Sequence, residues 1–309
     1  MKESIYNLRK QIKKFYKQYF TVYGDYTSLL PDKIYLKKRY KLKMGKKLNL
    51  KNPQTFNEKL QWLKLYNRNP KYTLLVDKYA VRDYIAKTIG EEYLIPLLGA
   101  WNSVDDIDFE KLPNQFVLKT NHDNGVVVCT DKNNFNIDEA KRQLNIKMSR
   151  NFYKKGREWP YKNIPRKIIA EQYMIDESGY ELRDYKIFCF DSVPKMLFVV
   201  KNRSNKDIET TFDFYDENFV HMPLKNEYNF SDTPMEKPKS FEKMKKLAQE
   251  LSADIPFSRI DFYDVNGKIY FGEITLFHNN GMVPFEPEEW DYKIGSWLKL
   301  PSKKHRRIF

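Results

Sequence analysis

Apolar residues recur along this chain with two periods, and the changes of period mark out its elements. Over residues 3–20, Ile5, Leu8, Ile12, Phe15 and Tyr19 fall at spacings of three and four, one face of a helix. Lys10, Lys13, Lys14 and Lys17 lie mostly off that face. A second basic helix is predicted over residues 31–47, with Pro31 in its first turn. Thr55 and Glu58 make a capping box for a helix that points Leu60, Leu63 and Leu65 inward. Asp77 is placed to cap a further helix that runs to Gly90. Residues 137–148 read as a helix, as do residues 241–251, with Phe241, Met244, Leu247, Ala248 and Leu251 on one face.

Shorter β-rich runs lie between these. Residues 93–101 read as strand and turn, and residues 115–130 as two strands around a polar loop, residues 121–125. Residues 167–174 read as a buried strand interrupted by Glu171. Residues 180–190 and 195–200 form a predicted hairpin about Asp191-Ser192. In it Glu181, Arg183 and Tyr185 alternate with Leu182, Asp184 and Lys186, the pattern of a strand with one face to water. Residues 212–215 suggest another strand; residues 292–298 form a short closing segment, and the basic tail is expected to fray.

The last predicted hairpin, residues 258–276, turns at Asn266-Gly267 and carries an acid in each strand, Asp261 and Glu273, with Arg259 on the face of Asp261. A two-residue loop pairs Val265 with Lys268 and sets Glu273 opposite Ile260, so the acids point apart. A three-residue loop pairs Asp264 with Lys268, so that Arg259 faces Glu273 and Asp261 is diagonal to it, about 7–8 Å away. Two carboxylates at that distance repel by roughly 2 kcal/mol at an effective dielectric of 20. A hard cation between them turns that cost into a site; the alternative is a solvated hairpin.

Composition narrows the class. The chain has 309 residues, a net charge of +14 and a 16% aromatic share. Residues 1–51 hold 15 Lys and Arg against Glu3, Asp25 and Asp32, so the charge belongs to an N-terminal extension. Such a surface suits an anionic lipid or polymer, or packs on the body with a solvated basic back. Nucleic acid is not expected, since no reading module is present. Cys129 and Cys189 sit in apolar runs and read as buried thiols. No signal peptide and no membrane-spanning run is evident, so a cytoplasmic protein, peripheral at most at the inner membrane face, is expected.

Lys119, among apolar neighbours, either snorkels or neutralises an anion. The amides of the loop before Gly125 can bend over phosphate oxygens. Glu171 is costly in an apolar strand unless hydrogen-bonded, and the backbone beyond it with Met174 can hold a flat heterocycle.

In this order, DKYAVRDY, FVLKTNH, the Glu171 strand, RDYKIFCF and IDFYDVNGKIYFGEIT resemble the ATP-grasp superfamily over about residues 55–300, and their wording is similar to its TupA-like branch. D-alanine–D-alanine ligases show the same sequence of features. The resemblance implies an α+β fold in which two subdomains clasp ATP, behind a basic helical extension. The implied division is residues 1–51 (extension), 52–114 (helical acceptor region), 115–174 (lid) and 175–309 (large subdomain with the Mg²⁺ site). It implies that Lys78 and Lys119 touch phosphates under a cover that includes His122, Asn124 and Gly125. Glu171, Tyr173 and Met174 would hold adenine, Glu181 ribose, and Lys186 would join the ATP-binding set. Asp261 and Glu273 would bind Mg²⁺, and Arg259 would steady an acyl phosphate. Thr275 stands where the superfamily often has Asn, so Asn279 or Asn280 substitutes or one ion is held loosely. With these residues assigned, the three-residue loop becomes the expectation.

The implied reaction is ATP-dependent carboxylate–amine ligation. The branch is associated with teichuronopeptide and capsular polysaccharide genes, which suggests a hexuronic acid of a surface polysaccharide, or its lipid-linked precursor, as the acid and an amino acid or small amine as the nucleophile. The competing reading is a sugar-nucleotide glycosyltransferase with Asp106-Ile-Asp108 as its metal motif.

Overall fold

The computed structural model describes residues 29–179, 182–202 and 208–302, so the amphipathic pattern over residues 3–20 and the acid Glu181 lie outside the described residues. The chain divides into two compact units, residues 1–48 and 49–309. In the first, α1 (Asp32–Met44) follows Pro31 and ends at Gly45, whose left-handed φ of 73° lets its N–H reach the Lys41 carbonyl.

The second unit holds two antiparallel sheets. β1 (Leu97–Trp101), β2 (Phe116–Thr120), β3 (Val126–Cys129) and β4 (Ile168–Gln172) form one, in the order β1-β4-β2-β3. One face packs Phe116, Leu118, Ile168, Ala170 and Cys129 with Leu144 of α5 (Ile137–Ser149). Strand alternation sends Val117, Lys119, Ile169 and Glu171 to the other face.

The second sheet has six strands. β5 (Asp184–Phe190), β6 (Val193–Lys201), β7 (Thr211–Asp216), β8 (His221–Met222), β10 (Phe257–Val265) and β11 (Lys268–Thr275) lie in the order β11-β10-β5-β6-β7-β8. A small third sheet pairs β9 (Lys225–Asn226) with β12 (Phe285–Glu286). Aromatic packing anchors the large sheet: Phe56 of α2 (Phe56–Tyr66) meets Phe188, Phe190, Phe257 and Phe285 with ring centroids 4.9–6.2 Å apart.

The Thr55–Glu58 capping box is present, and Glu58 also accepts the Asn49 and Gln54 N–H groups at 3.1 and 2.9 Å. Leu60 and Leu63 are buried, whereas Leu65 is half-buried. The Asp77 helix is shorter than expected. α3 (Lys71–Val76) precedes Asp77, whose carboxylate accepts from Tyr79 and Ala80 N–H through a turn before α4 (Val81–Thr88). α6 (Phe152–Gly156) interrupts the basic connector. α7 (Phe241–Leu251) has the expected bounds and buried face, and the closing segment is a helix, α8 (Glu289–Trp297). Cys129 and Cys189 are buried and free.

Two expectations need correction. β5 does not present one face to water: it lies between β10 and β6 and every residue in it is buried, Asp184 and Lys186 included. Its polar positions face the interior site described next. The hairpin of β10 and β11 does not have a three-residue loop, since Val265 pairs with Lys268. No helix among the described residues is long and apolar enough to cross a membrane.

Candidate active site

Asn266 and Gly267 both take positive φ, 54° and 84°, which suits a two-residue hairpin turn. Carried on unbroken, that register would leave Asp261 and Glu273 on opposite faces. A β-bulge prevents this. Phe262 pairs with Phe271, but Asp261 pairs with Glu273, and Gly272 is the extra residue. A Cβ at Gly272 would lie 3.1 Å from the Asp261 carbonyl oxygen and 3.3 Å from the Tyr263 ring, so the close approach favours glycine. The bulge puts both acids on one face, the outcome expected of the longer loop, and Arg259 opposite Thr275.

Arg259 is the hub. Its Nε and one terminal nitrogen donate to the two Asp261 oxygens, each at 2.7 Å. That terminal nitrogen also reaches Glu273 Oε1 at 3.1 Å and Thr275 Oγ1 at 3.0 Å. Lys186 Nζ lies 2.6 Å from Asp261 and 3.3 Å from Asp184, and Lys78 Nζ lies 3.5 Å from Glu273 Oε2. Burial would raise the Glu273 carboxyl, but the charges on Lys78, Arg259 and Lys186 outweigh it and hold it well below the usual carboxylate range.

The far terminal nitrogen of Arg259 lies 3.1 Å from His278 Nδ1. A guanidinium only donates, so Nδ1 accepts and Nε2–H donates to Asn226 Oδ1 at 2.9 Å. Burial and the Arg259 charge push His278 well below its ordinary value and keep it neutral. Asn226 in turn donates to the Val283 and Pro284 carbonyls.

The residues expected at the phosphates lie on β2, in the loop between β2 and β3, and in the turn before α4. Lys78 Nζ donates to the Asp123 carbonyl at 2.9 Å. Lys119 Nζ lies 2.6 Å from Glu171, which Arg82 also contacts at 3.2 Å. The Glu171 carboxylate is therefore engaged by two cations. In the loop, the Asp123 carboxylate accepts from Thr120 Oγ1 and from the Gly125 amide, so that amide already has a partner. His122 is buried with no partner for either ring nitrogen among the described residues, and burial pushes its pKa down.

A polar cavity of about 630 Å³ brings together Lys78, Lys119, Asn124, Lys186, Arg259, Asp261, Glu273 and Thr275. An apolar cavity of about 610 Å³ is lined by Tyr173 and Met174 with Val117, Val128, Ile175, Leu182 and Val200. The two share Lys119, Val126, Asp184 and Tyr263. Glu171 lines a small recess with Lys78, Arg82 and Lys119 instead, and His122 and Gly125 line none of these spaces. Sequence reasoning missed Arg82, Asp184, Glu158 and Tyr161. Asp184 and Lys186 on one face of an otherwise apolar strand were a usable signal; Glu158 and Tyr161, in a connector, left none.

A hard divalent cation would find Glu273 open, its side chain 36% exposed in the polar cavity, whereas both Asp261 oxygens are bonded to Arg259 or Lys186 and could offer only their remaining lone pairs. Among the described residues no third His, Cys, Asp or Glu joins such a group. Phosphate oxygens would have to complete the coordination, as is usual for Mg²⁺.

No curated protein matches the chain. Among solved structures, D-alanine–D-alanine ligase from Bacillus anthracis aligns at 17% identity and TM-score 0.40, over 66% of this chain and 57% of that one. L-amino acid ligase from Bacillus licheniformis aligns at 17% identity and TM-score 0.41, over 73% and 49%. D-alanine–D-alanine ligase from Helicobacter pylori aligns at 13% identity and TM-score 0.44, over 82% and 68%. The chain thus spans about half to two thirds of the length of these proteins. The family model described as TupA-like ATP-grasp matches residues 58–299, most of the chain, and this protein is a member of that family.

Proposed function

We propose that the protein is an ATP-dependent carboxylate–amine ligase working through an acyl phosphate. One observation carries the reading: four cations, Lys78, Lys119, Lys186 and Arg259, and two paired acids line a single polar cavity that adjoins an apolar one. Adenine would occupy the apolar cavity between Tyr173, Met174 and the valines of β2 and β3, with Glu181 at the ribose. The triphosphate would lie in the polar cavity under the loop of His122, Asn124 and Gly125. Glu171 then acts as the counter-ion that aims Lys119, and not as a partner for the base.

Mg²⁺ held by Asp261 and Glu273, with Thr275 beside them, would offset charge on the transferring phosphoryl group. The substrate carboxylate takes the γ-phosphoryl group, giving acyl phosphate and ADP. The neutral amine then attacks the acyl carbon through its free electron pair: the C–N bond forms, the C–O bond to phosphate breaks, and the proton that the nitrogen loses leaves with the phosphate. Arg259 stabilises the carbonyl oxygen as charge develops on it; the His278–Asn226 relay fixes its guanidinium. Residues 52–114 would form the acceptor region, 115–174 the lid and 175–309 the large subdomain. The acid is read as a hexuronic acid of a surface polysaccharide or its precursor, on the strength of the branch, with residues 1–51 holding the anionic glycan or a membrane bearing it.

The glycosyltransferase reading has less support. Asp106 and Asp108 are exposed, cap short helical turns at Ser103 and Glu110, and line none of the cavities described above. The test uses labelled ATP with glucuronic or galacturonic acid and a set of amino acids. ADP and phosphate released only when acid and amine are both present support ligation. Intact ATP with a consumed sugar nucleotide overturns it.

A further inference from the structure

We propose that the wall of the polar cavity formed by Glu158, Phe152 and Tyr161 is a subsite for a primary ammonium group, with the Glu158 carboxylate as its receptor. The inference rests on the ligase reading above and places that reaction's amine.

Glu158 borders the same cavity as Arg259 and Glu273 but is absent from the apolar one. It is only 5% exposed, yet its carboxylate makes no hydrogen bond or ion pair with a described residue. Its oxygens are not sealed off but open onto the cavity, where a largely desolvated carboxylate favours a cationic partner. The cation nearest in effect is Lys64, and it has nothing left to donate. Its three ammonium protons face four acceptors: Gln61 Oε1 at 3.2 Å, the Gly156 carbonyl at 3.0 Å, and the Asn280 carbonyl and Oδ1 at 2.8 Å each. Burial raises the Glu158 carboxyl, with Lys64 pulling against it, Glu273 adding to the rise, and Lys155 and Arg259 opposing it. The carboxyl stays raised, so the surrounding cations do not fully compensate it.

The wall is also rigid. Lys64 ties Gly156 to Asn280, and a Cβ on Gly156 would lie 2.1 Å from Asn280 Oδ1, so the backbone leading into Glu158 is held against that loop. Phe152 and Tyr161 line the same cavity, half-buried and tilted at 60° to each other with centroids 4.8 Å apart, rings of a kind that attract a cation. The other acids that line the cavity are already engaged or exposed: Asp184, Asp261 and Glu273 are ion-paired with Lys186, Arg259 and Lys78, Asp123 is bonded to Thr120 and Gly125, and Glu227 is exposed. Glu158 is therefore the buried carboxylate of this cavity that an incoming ammonium would find without a bonded partner among the described residues.

The test is ligand-observed NMR on the full chain, with n-butylamine as its ammonium ion and n-butanol as the neutral isostere, alongside calorimetric titration of the ATP analogue AMPPNP with Mg²⁺. Butylammonium should bind and butanol should not. Glu158→Gln should weaken butylammonium on the order of 10- to 100-fold, the value of one charged hydrogen bond, with AMPPNP affinity unchanged. Phe152→Leu should weaken the ammonium only a few-fold. Equal binding of butanol, or Glu158→Gln binding like the wild type, overturns the subsite. So does an equal loss of AMPPNP and butylammonium in Glu158→Gln. A wild type that binds butylammonium but not AMPPNP leaves the subsite standing and sinks the ligase reading.

Discussion

The hairpins β5–β6 and β10–β11 close alike. Each turns on two residues of positive φ, Asp191 and Ser192 in the first (51° and 68°), Asn266 and Gly267 in the second (54° and 84°). Each ladder then slips once. In β5–β6 the slip falls between Phe188 and Cys189, beside the turn, where Pro194 lacks the N–H a regular ladder needs. There Phe188, Cys189 and Met196 are core while Pro194 and the extra residue, Lys195, are half-buried, and the slip turns none of them into the polar cavity. In β10–β11 it falls between Asp261 and Phe262 and sets Glu273 opposite Asp261. One backbone device therefore serves packing in one hairpin and builds the site in the other. What differs is the residues flanking the slip and the cation, Arg259, that holds them.

The largest effect is expected at that cation. Arg259→Leu leaves Asp261, 1% exposed, with Lys186 as its remaining close cation, and should cost about 3–5 kcal/mol in chemical denaturation. AMPPNP binding should fall with it. A loss under 1 kcal/mol would mean that the buried ion cluster does not hold this hairpin.

Next in size is the bulge. Gly272→Val forces a branched side chain against the Asp261 carbonyl and the Tyr263 ring and should cost about 1–3 kcal/mol. Deleting Gly272 removes only the extra residue, so Glu273 should stay opposite Asp261 and Mg²⁺–AMPPNP binding should survive better than in Gly272→Val. The reverse ranking would show that the bend at the bulge, and not the register, aims the acids.

These two hairpins also show how far sequence reading reaches. Asn266-Gly267 and Asp191-Ser192 are turns whose residue types name them, and both were legible. The bulge was not. An extra residue in a strand leaves no periodic mark, so the shared face of Asp261 and Glu273 was expected for the wrong reason, a longer loop. The acids, Arg259 and Lys119 were readable because charge interrupts apolar runs; Lys78 was legible only through the family resemblance. Lys64 and Glu158 were not: Lys64 occupies an ordinary helical position and Glu158 an irregular connector, and only tertiary packing buries them. His278 was not legible as part of the site: the partner on its far side, Asn226, is 52 positions away.

Acid titration isolates the second carboxylate of the site. Glu273 is held below its ordinary pKa in the folded state, so the folded protein binds fewer protons than the unfolded one over that range. The stability this contributes is fully present above the unfolded value, about 4.3, and is lost as pH falls towards the folded value. Between pH 5 and 3, Glu273→Gln should lose stability less steeply than the wild type. Parallel slopes would mean that Lys78 and Arg259 do not set its charge.

The smallest effects are at the turns, where exchanging residues separates backbone strain from side-chain bonding. Gly267→Ser puts a side chain at φ 84° with open space around it, so the cost is backbone alone, about 1 kcal/mol. Ser192→Gly removes the same kind of strain at φ 68°, a gain of about 1 kcal/mol. It also removes the Ser192 Oγ–H bond to the Ser252 carbonyl, 3.1 Å long and worth about as much. The two should nearly cancel, leaving Ser192→Gly within about 0.5 kcal/mol of wild type in urea denaturation while Gly267→Ser loses about 1. If Ser192→Gly is instead stabilising by the full amount, the hydroxyl bond contributes nothing, and the first turn carries strain that the second avoids only by having glycine.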